Sequence, residues 1–220
     1  DAVRNHRAEL ERLVEQRTSA LQSALDQVEA ARREADTAHL DTIYRLAAAS
    51  EFKDKDTATH IQRVSNYCSL LARHLGLPED EIEVLRVASP MHDVGKIGIA
   101  DSILLKHSRL DANEWTIMQT HTTIGARILS GSTSHLLQAG EIIALSHHEK
   151  WDGSGYPQGL AGAAIPLWGR ICAIADVFDA LTSERPYKAA LSNDQAFEIM
   201  AEQRGRHFDP DILDIFLRAS

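Results

Sequence analysis

Cysteine is scarce in this 220-residue sequence: only Cys68 and Cys172 occur, far apart and each inside an apolar helical pattern. No CxxC pair is present, which excludes a thiolate zinc site and a dithiol redox centre; two buried free thiols in a reducing compartment are expected. Long apolar runs are also missing. None approaches the roughly 18–20 residues needed to cross a bilayer, so no membrane span is expected. The first residues, DAVRNHRAEL, lack both the apolar stretch of a signal peptide and an initiator Met, and a segment of a longer, cytoplasmic protein is expected. Positive charge is in deficit: 23 Lys and Arg stand against 32 Asp and Glu, for a net charge of −9. That balance argues against DNA binding, which wants a basic face. A phosphate-ester substrate would need local positive charge, and metal ions are often the largest charges in a site.

Glycine and proline are absent from residues 1–44. There Leu10, Val14, Leu21, Ala24, Val28, Ala31, Ala35 and Ala38 fall on one alternating 4-3 spacing, interrupted only by Arg17. This is a heptad seam flanked by charge, and a parallel two-helix coiled coil joining two copies of the chain is expected. A single amphipathic helix lying on the globular domain is the alternative. Residues 45–220 then read as helix, short loop, helix throughout. The segment 59–77 ends at Gly76 with Pro78 beyond, a helix stop. Glu79, Asp80 and Glu81 open the next helix with negative charge at its positive end. DANEWTIMQTHTTIGARIL is read as one helix capped by Asp111 with Glu114 three residues on. Further helices are read over 134–150, over 169–183, and twice near the C-terminus. No alternating strand of convincing length appears. The expected class is all-α, with two domains: a helix over 1–44 and a bundle over 45–220.

Eleven histidines are present, and several are not randomly placed. His92 precedes Asp93 directly; His147 and His148 are adjacent; His60 and Arg63 share a helix face; Asp176 and Asp179 lie in the apolar helix AIADVFDAL. A carboxylate in such a helix is normally paired or bound to metal. Histidine and carboxylate ligands without thiolates suit Fe, Mn, Ni or Zn. So many such ligands exceed the needs of one ion and suit two with a bridging carboxylate, an arrangement that clamps a phosphate and activates water.

The motifs MHDVGKIGI, HTTIG, HHEKWDGSGYPQGLAG and IADVFDALTSERPYK, in this order, resemble those of the HD-GYP family of bacterial cyclic di-GMP phosphodiesterases, within the HD-domain phosphohydrolase superfamily. The resemblance covers residues 45–220. It implies an HD-domain helical bundle that hydrolyses cyclic di-GMP, or a related cyclic dinucleotide, to linear pGpG and GMP. It implies a binuclear centre of divalent transition-metal ions, Fe or Mn foremost, held by His60, His92, Asp93, His121, His147, His148 and Asp176, with Asp93 bridging. Lys96 is implied to contact the scissile phosphate, Gly95 to leave room for that approach, and Arg185 and Lys188 to hold the substrate's phosphates. Tyr156 is implied to line the substrate channel. Asp56 stands where members with a third metal carry Glu; a third-metal ligand and a helix N-cap are both open readings. A second departure is LLKHSRL, where the family has a Pro-Gly pair after the lysine that is Lys106 here. The resemblance also implies a sensory or receiver domain upstream and a protein partner at the GYP loop. Another phosphohydrolase activity on the same scaffold, and a non-catalytic relay module, are the rival readings.

Of the remaining polar residues, Arg63 is expected to pair with a ligand carboxylate and orient it, rather than to contact substrate. Asp179 is expected to hydrogen-bond rather than ligate, and the direction of Glu149 stays open between solvent and the site. Trp151 and Trp168 are expected as packing anchors. His6, His39, His74, His107, His135 and His207 are expected to be structural or exposed.

Overall fold

The computed structural model describes residues 2–54, 58–184 and 190–219. Ten α-helices and no named strand occur among them, in agreement with the expected all-α class. Two isolated bridges, Asp152 with Ala161 and Arg204 with Phe208, tie loops together.

The first helix, α1 (Ala2–Asp54), is the longest. The chain divides into a unit through Thr42 and a larger unit from Ile43 onward, close to the expected boundary at residue 44. The first unit is helix alone. Its seam residues Val14, Leu21 and Val28 are 63%, 64% and 66% exposed in the single chain.

The second unit begins with the last turns of α1, whose Ile43 and Ala47 enter the core. The helices α2 (Ala58–His74), α3 (Glu79–Ala88), α6 (His121–Leu129), α7 (His135–Ser146) and α8 (Leu167–Thr182) build most of it. α2 packs on α3 and α8, and α7 packs on α3, α6 and α8. Cys68 and Cys172 lie buried as free thiols in this core. The hydrogen bond that Cys172 donates to Cys68, and then burial, hold the Cys172 thiol well above its ordinary range, so neither thiolate chemistry nor metal binding by it is supported.

Local sequence explains where helices stop. After α2, Gly76 takes φ +74°, the amide of Leu77 donates to the Ala72 carbonyl at 3.1 Å, and that of Gly76 to Arg73 at 3.0 Å. This is a Schellman stop, with Pro78 beyond. Pro90 ends α3 and leaves a 3-10 turn, Ser89–Met91, because proline cannot continue the α ladder. A second 3-10 turn, Val94–Gly98, follows.

The segment read as one helix over 111–129 is two: α5 (Ala112–Gln119) and α6. The Asp111–Glu114 capping box forms as expected. The break falls at Thr120, where the hydroxyls of Thr120, Thr122 and Thr123 each donate to the carbonyl three residues back. Such back-bonds compete with the regular ladder. The helix read over 134–150 also stops short: α7 ends at Ser146 and His147 is its C-cap. The short α4 (Asp101–Leu104), α9 (Asn193–Ala201), which has a Ser192–Gln195 capping box, and α10 (Pro210–Ala219) complete the chain.

Candidate metal centre

Four histidines from four parts of the chain present the same ring edge to one interior space. His60, on α2, sets its Nδ1 2.7 Å from Asp179 Oδ2. The Nδ1 of His92 lies 2.9 Å from the Ser89 carbonyl. That of His121, the first residue of α6, lies 2.7 Å from the Met118 carbonyl. That of His147 lies 3.1 Å from the carbonyls of Ile143 and Ala144. A carbonyl can only accept, so each Nδ1 facing one carries the hydrogen and the Nε2 lone pair is left to point inward.

These inward atoms meet carboxylates. Asp93 Oδ1 is 3.3 Å from His121 Nε2 and 3.6 Å from His147 Nε2. Its Oδ2 is 3.4 Å from His92 Nε2 and 2.7 Å from Lys96 Nζ. Asp176 Oδ1 is 3.6 Å from His60 Nε2 and 3.8 Å from His92 Nε2. The two oxygens of Asp93 therefore face different sets of histidines. Burial works against an ionised Asp93, but the ammonium of Lys96 above all outweighs it and holds the carboxyl well below its usual range. Burial depresses His121 to about 4, and burial with His147 holds His148 well below its ordinary value. Both rings are neutral near pH 7, as metal ligands must be.

The residues fit a metal centre on one observation above all. The Nε2 atoms of His92, His121 and His147 and the Oδ1 of Asp93 are buried with no hydrogen-bond partner. Buried polar atoms are normally satisfied, and these have one chemistry in common, lone pairs for a cation. Two groups of donor atoms lie within 4.8 Å of one another: Asp93, His121, His147 and His148 form one, and Glu51, His60 and His92 the other.

The surrounding residues explain this placement. Asp179 is 1% exposed and also accepts from Arg63, at 2.5 Å from Nε and 2.9 Å from Nη2. Burial raises its pKa, but the hydrogen bonds from Arg63 and His60 prevail and bring it down to about 2. Asp179 hydrogen-bonds as expected, whereas Arg63, expected on a ligand carboxylate, pairs with Asp179 behind His60. Lys96 reaches Asp93 because Val94–Gly98 is a 3-10 turn, in which residues three apart eclipse. Gly95 does other work than the resemblance implied. A Cβ there would lie 1.8 Å from the His121 carbonyl oxygen and 2.4 Å from Gly125 N, so its missing side chain is what lets α6 approach the His92–Asp93 loop.

In the loop after α7, Tyr156 stacks on His148, with ring centroids 4.8 Å apart. Trp115 stands edge-on to Tyr156 at 6.1 Å and lines a cavity of about 580 Å³ with Arg109 and Leu110. Glu149, whose direction the sequence leaves open, is 2% exposed. It accepts from the amides of Gln158 at 2.7 Å and Leu160 at 3.0 Å, which fastens the loop. Lys106 pairs with Glu114. Trp168 packs against the core, and Trp151 lies under Arg170. Asp56, Arg185 and Lys188 lie outside the described residues.

Sequence reading missed Glu51. A signal for it existed: Ile43, Ala47, Ser50 and Glu51 are all buried and follow the 0, 4, 7, 8 rhythm of one helix face.

This helical bundle with a buried histidine–aspartate cluster is that of an HD-domain protein. The HD-domain family profile matches residues 41–212, and the chain belongs to that family. It is 47% identical over 205 residues to the cyclic di-GMP phosphodiesterase response regulator RpfG of Xanthomonas campestris, which covers 93% of this chain and 53% of that protein. It is 50% identical over 177 residues to the 3'3'-cGAMP-specific phosphodiesterase 2 of Vibrio cholerae, which covers 80% of this chain and 34% of that protein. The chain thus spans about half, or less, of these relatives. Among solved structures, a cyclic GMP-AMP specific phosphodiesterase of Vibrio cholerae superposes with a TM-score of 0.62 at 22% identity, over 81% of this chain and 48% of the other. That likeness shows the fold. No helix among the described residues is long and apolar enough to cross a membrane.

Proposed function

We propose that this chain is a metal-dependent phosphodiesterase that opens a cyclic dinucleotide, cyclic di-GMP foremost, to its linear form pGpG and onward to GMP, as part of bacterial cytoplasmic signalling. The observation that carries the reading is the convergence of three buried, unpartnered Nε2 atoms on Asp93. The names of the relatives at 47% and 50% identity support the substrate class.

In this reading His60, His92, Asp93, His121, His147, His148 and Asp176 hold two divalent transition-metal ions, Fe or Mn before Ni or Zn. Bound there, the ions supply the Lewis acidity that activates water and the charge that balances phosphate oxygens. The chain's own residues do the rest. Asp93 offers one oxygen to each side. Lys96, already drawn to Asp93, stands as a fixed cation where charge grows on the phosphoryl oxygens. Tyr156 keeps its proton: burial, with Asp93 and Asp176 adding, holds its phenol well above the ordinary value. It therefore serves as a wall and a hydrogen-bond donor rather than a base. Arg185 and Lys188 belong to this reading as phosphate-holding residues, and Asp56 as a ligand to a third ion. Pairing of the 10–38 seam with a second copy, a sensory or receiver domain upstream, and a protein partner at the loop around Tyr156 are parts of the same reading.

The test is anaerobic purification, elemental analysis, and turnover of cyclic di-GMP, 3'3'-cGAMP and nucleotide monoesters on one sample. Bound Fe or Mn with linear dinucleotide product is expected. Hydrolysis of monoesters without turnover of either cyclic dinucleotide would overturn it, and so would tight binding of cyclic di-GMP without cleavage. A second reading, 3'3'-cGAMP as preferred substrate, is favoured by the relative of that specificity at 50% identity; the ratio of the two kcat/KM values decides between them.

A further inference from the structure

On one side of Asp93 stand His121, His147 and His148; on the other, His60 and His92 face Asp176 at 3.6 and 3.8 Å. With Asp93 the first side has four donors within 4.8 Å of one another; on the second, His60 and His92 are joined at that distance by Glu51. Glu51 lies in the last turns of α1 and is 1% exposed. Neither of its carboxylate oxygens has a hydrogen-bond partner. A buried carboxylate without a hydrogen-bond partner is costly, and the attraction of Lys96 nearby does not outweigh its burial. Protonation does not resolve the problem, because the neutral acid would bury an unused donor.

The helical turn that carries Glu51 is fastened to the loop of His92 and Asp93. Ser50 Oγ donates to the Asp93 carbonyl at 2.9 Å. Lys53 Nζ donates to the Ile97 carbonyl at 3.0 Å and pairs with Asp101 at 3.3 Å. Residues on both sides of Glu51 thus fix its backbone. Its unpartnered oxygens, aimed at the histidine edge, are a built feature of the fold.

We propose that Glu51 is a carboxylate ligand of the divalent ion held by His60 and His92. The proposal rests on the metal-dependent reading above. It makes the end of α1 part of the metal centre, so that the ion ties this helix to the bundle.

The experiment is Mn²⁺ binding to the chelator-stripped 220-residue chain, as wild type and as Glu51→Gln and Glu51→Asp. Stoichiometry and affinity are measured by calorimetry, with melting temperature followed in the stripped and loaded forms. Loss of an outer partner alone weakens metal binding roughly tenfold to hundredfold. For Glu51→Gln, retention of one Mn²⁺ equivalent is expected to fall by at least about that much, with the equivalent on the His121, His147 and His148 side kept. Its stripped form is expected to melt no lower than wild type, since the change removes no hydrogen bond, and to gain less on loading. Glu51→Asp is expected to fall between the two. Unchanged stoichiometry and affinity in Glu51→Gln, or a lower melting temperature of the stripped form with Mn²⁺ binding intact, would overturn the ligand role. A wild-type chain that takes up no Mn²⁺ would instead overturn the metal reading itself.

Discussion

Asp179 Oδ2 lies 2.7 Å from His60 Nδ1, while the Nε2 of the same ring faces Asp176 Oδ1 at 3.6 Å. The ring is therefore held from behind by one aspartate and presented to another, two residues of α8 separated by a single helical turn. Arg63 closes the arrangement by pairing with Asp179.

That geometry predicts the effect of Asp179→Asn. The amide keeps the size of the carboxylate but loses the charge that stabilises the Nδ1 hydrogen and pairs with Arg63. Removing such a partner weakens metal affinity roughly tenfold to hundredfold. A Mn²⁺ binding isotherm on the chelator-stripped protein checks this; an unchanged isotherm contradicts the orienting role of Asp179.

Gly155 gives a second prediction, which separates the loop from the metals. A Cβ at this position would lie 2.3 Å from Lys150 N and 2.6 Å from both Glu149 Cα and the His148 carbonyl oxygen. All three are backbone atoms that cannot swing aside. Gly155→Ala must push the loop outward and lift Tyr156 from His148. Misplacement by about 1 Å can cost on the order of a hundredfold in rate. The expected outcome is that loss in kcat/KM for the cyclic dinucleotide, with metal content at the wild-type level. Metal content falling in step with activity would show that the loop holds ligands in place rather than shaping the substrate's wall.

Much of this site was legible before any coordinates. The buried histidines stood out because adjacent imidazoles and carboxylates in an apolar helix have few structural uses. The Asp111–Glu114 box and the Gly76 stop were legible because each is a local rule, settled within six residues. The features that escaped are non-local. Glu51 looks like an ordinary helix-surface acid until α1 is seen to continue into the bundle and turn that face inward. The direction of Glu149 stays open until the loop after it folds back and donates two amides. Gly95 reads as space for substrate, but the backbone of α6 occupies that space. The break at Thr120 depends on three hydroxyls choosing carbonyls over water, a balance too fine for helical periodicity to reveal.

The N-terminal unit carries the last prediction. Leu21 is 64% exposed in the single chain and sits mid-seam, between the small Ala24 and the interrupting Arg17. Burying a leucine side chain contributes about 1.5–3 kcal/mol, and a two-fold coiled coil buries two copies of it. Leu21→Glu would remove that contribution twice and set two like charges across the seam. The dimer is expected to weaken by well over a hundredfold, since each 1.4 kcal/mol is about a factor of ten. Arg17→Leu should do the reverse by completing the heptad pattern. Sedimentation equilibrium over a concentration series reads both changes. A wild-type chain that stays monomeric throughout, or a Leu21→Glu variant that dimerises as wild type does, would leave the alternative of a lone amphipathic helix. The globular unit offers an internal control: Mn²⁺ affinity is expected to be the same in all three proteins, because every proposed metal ligand among the described residues lies beyond Thr42.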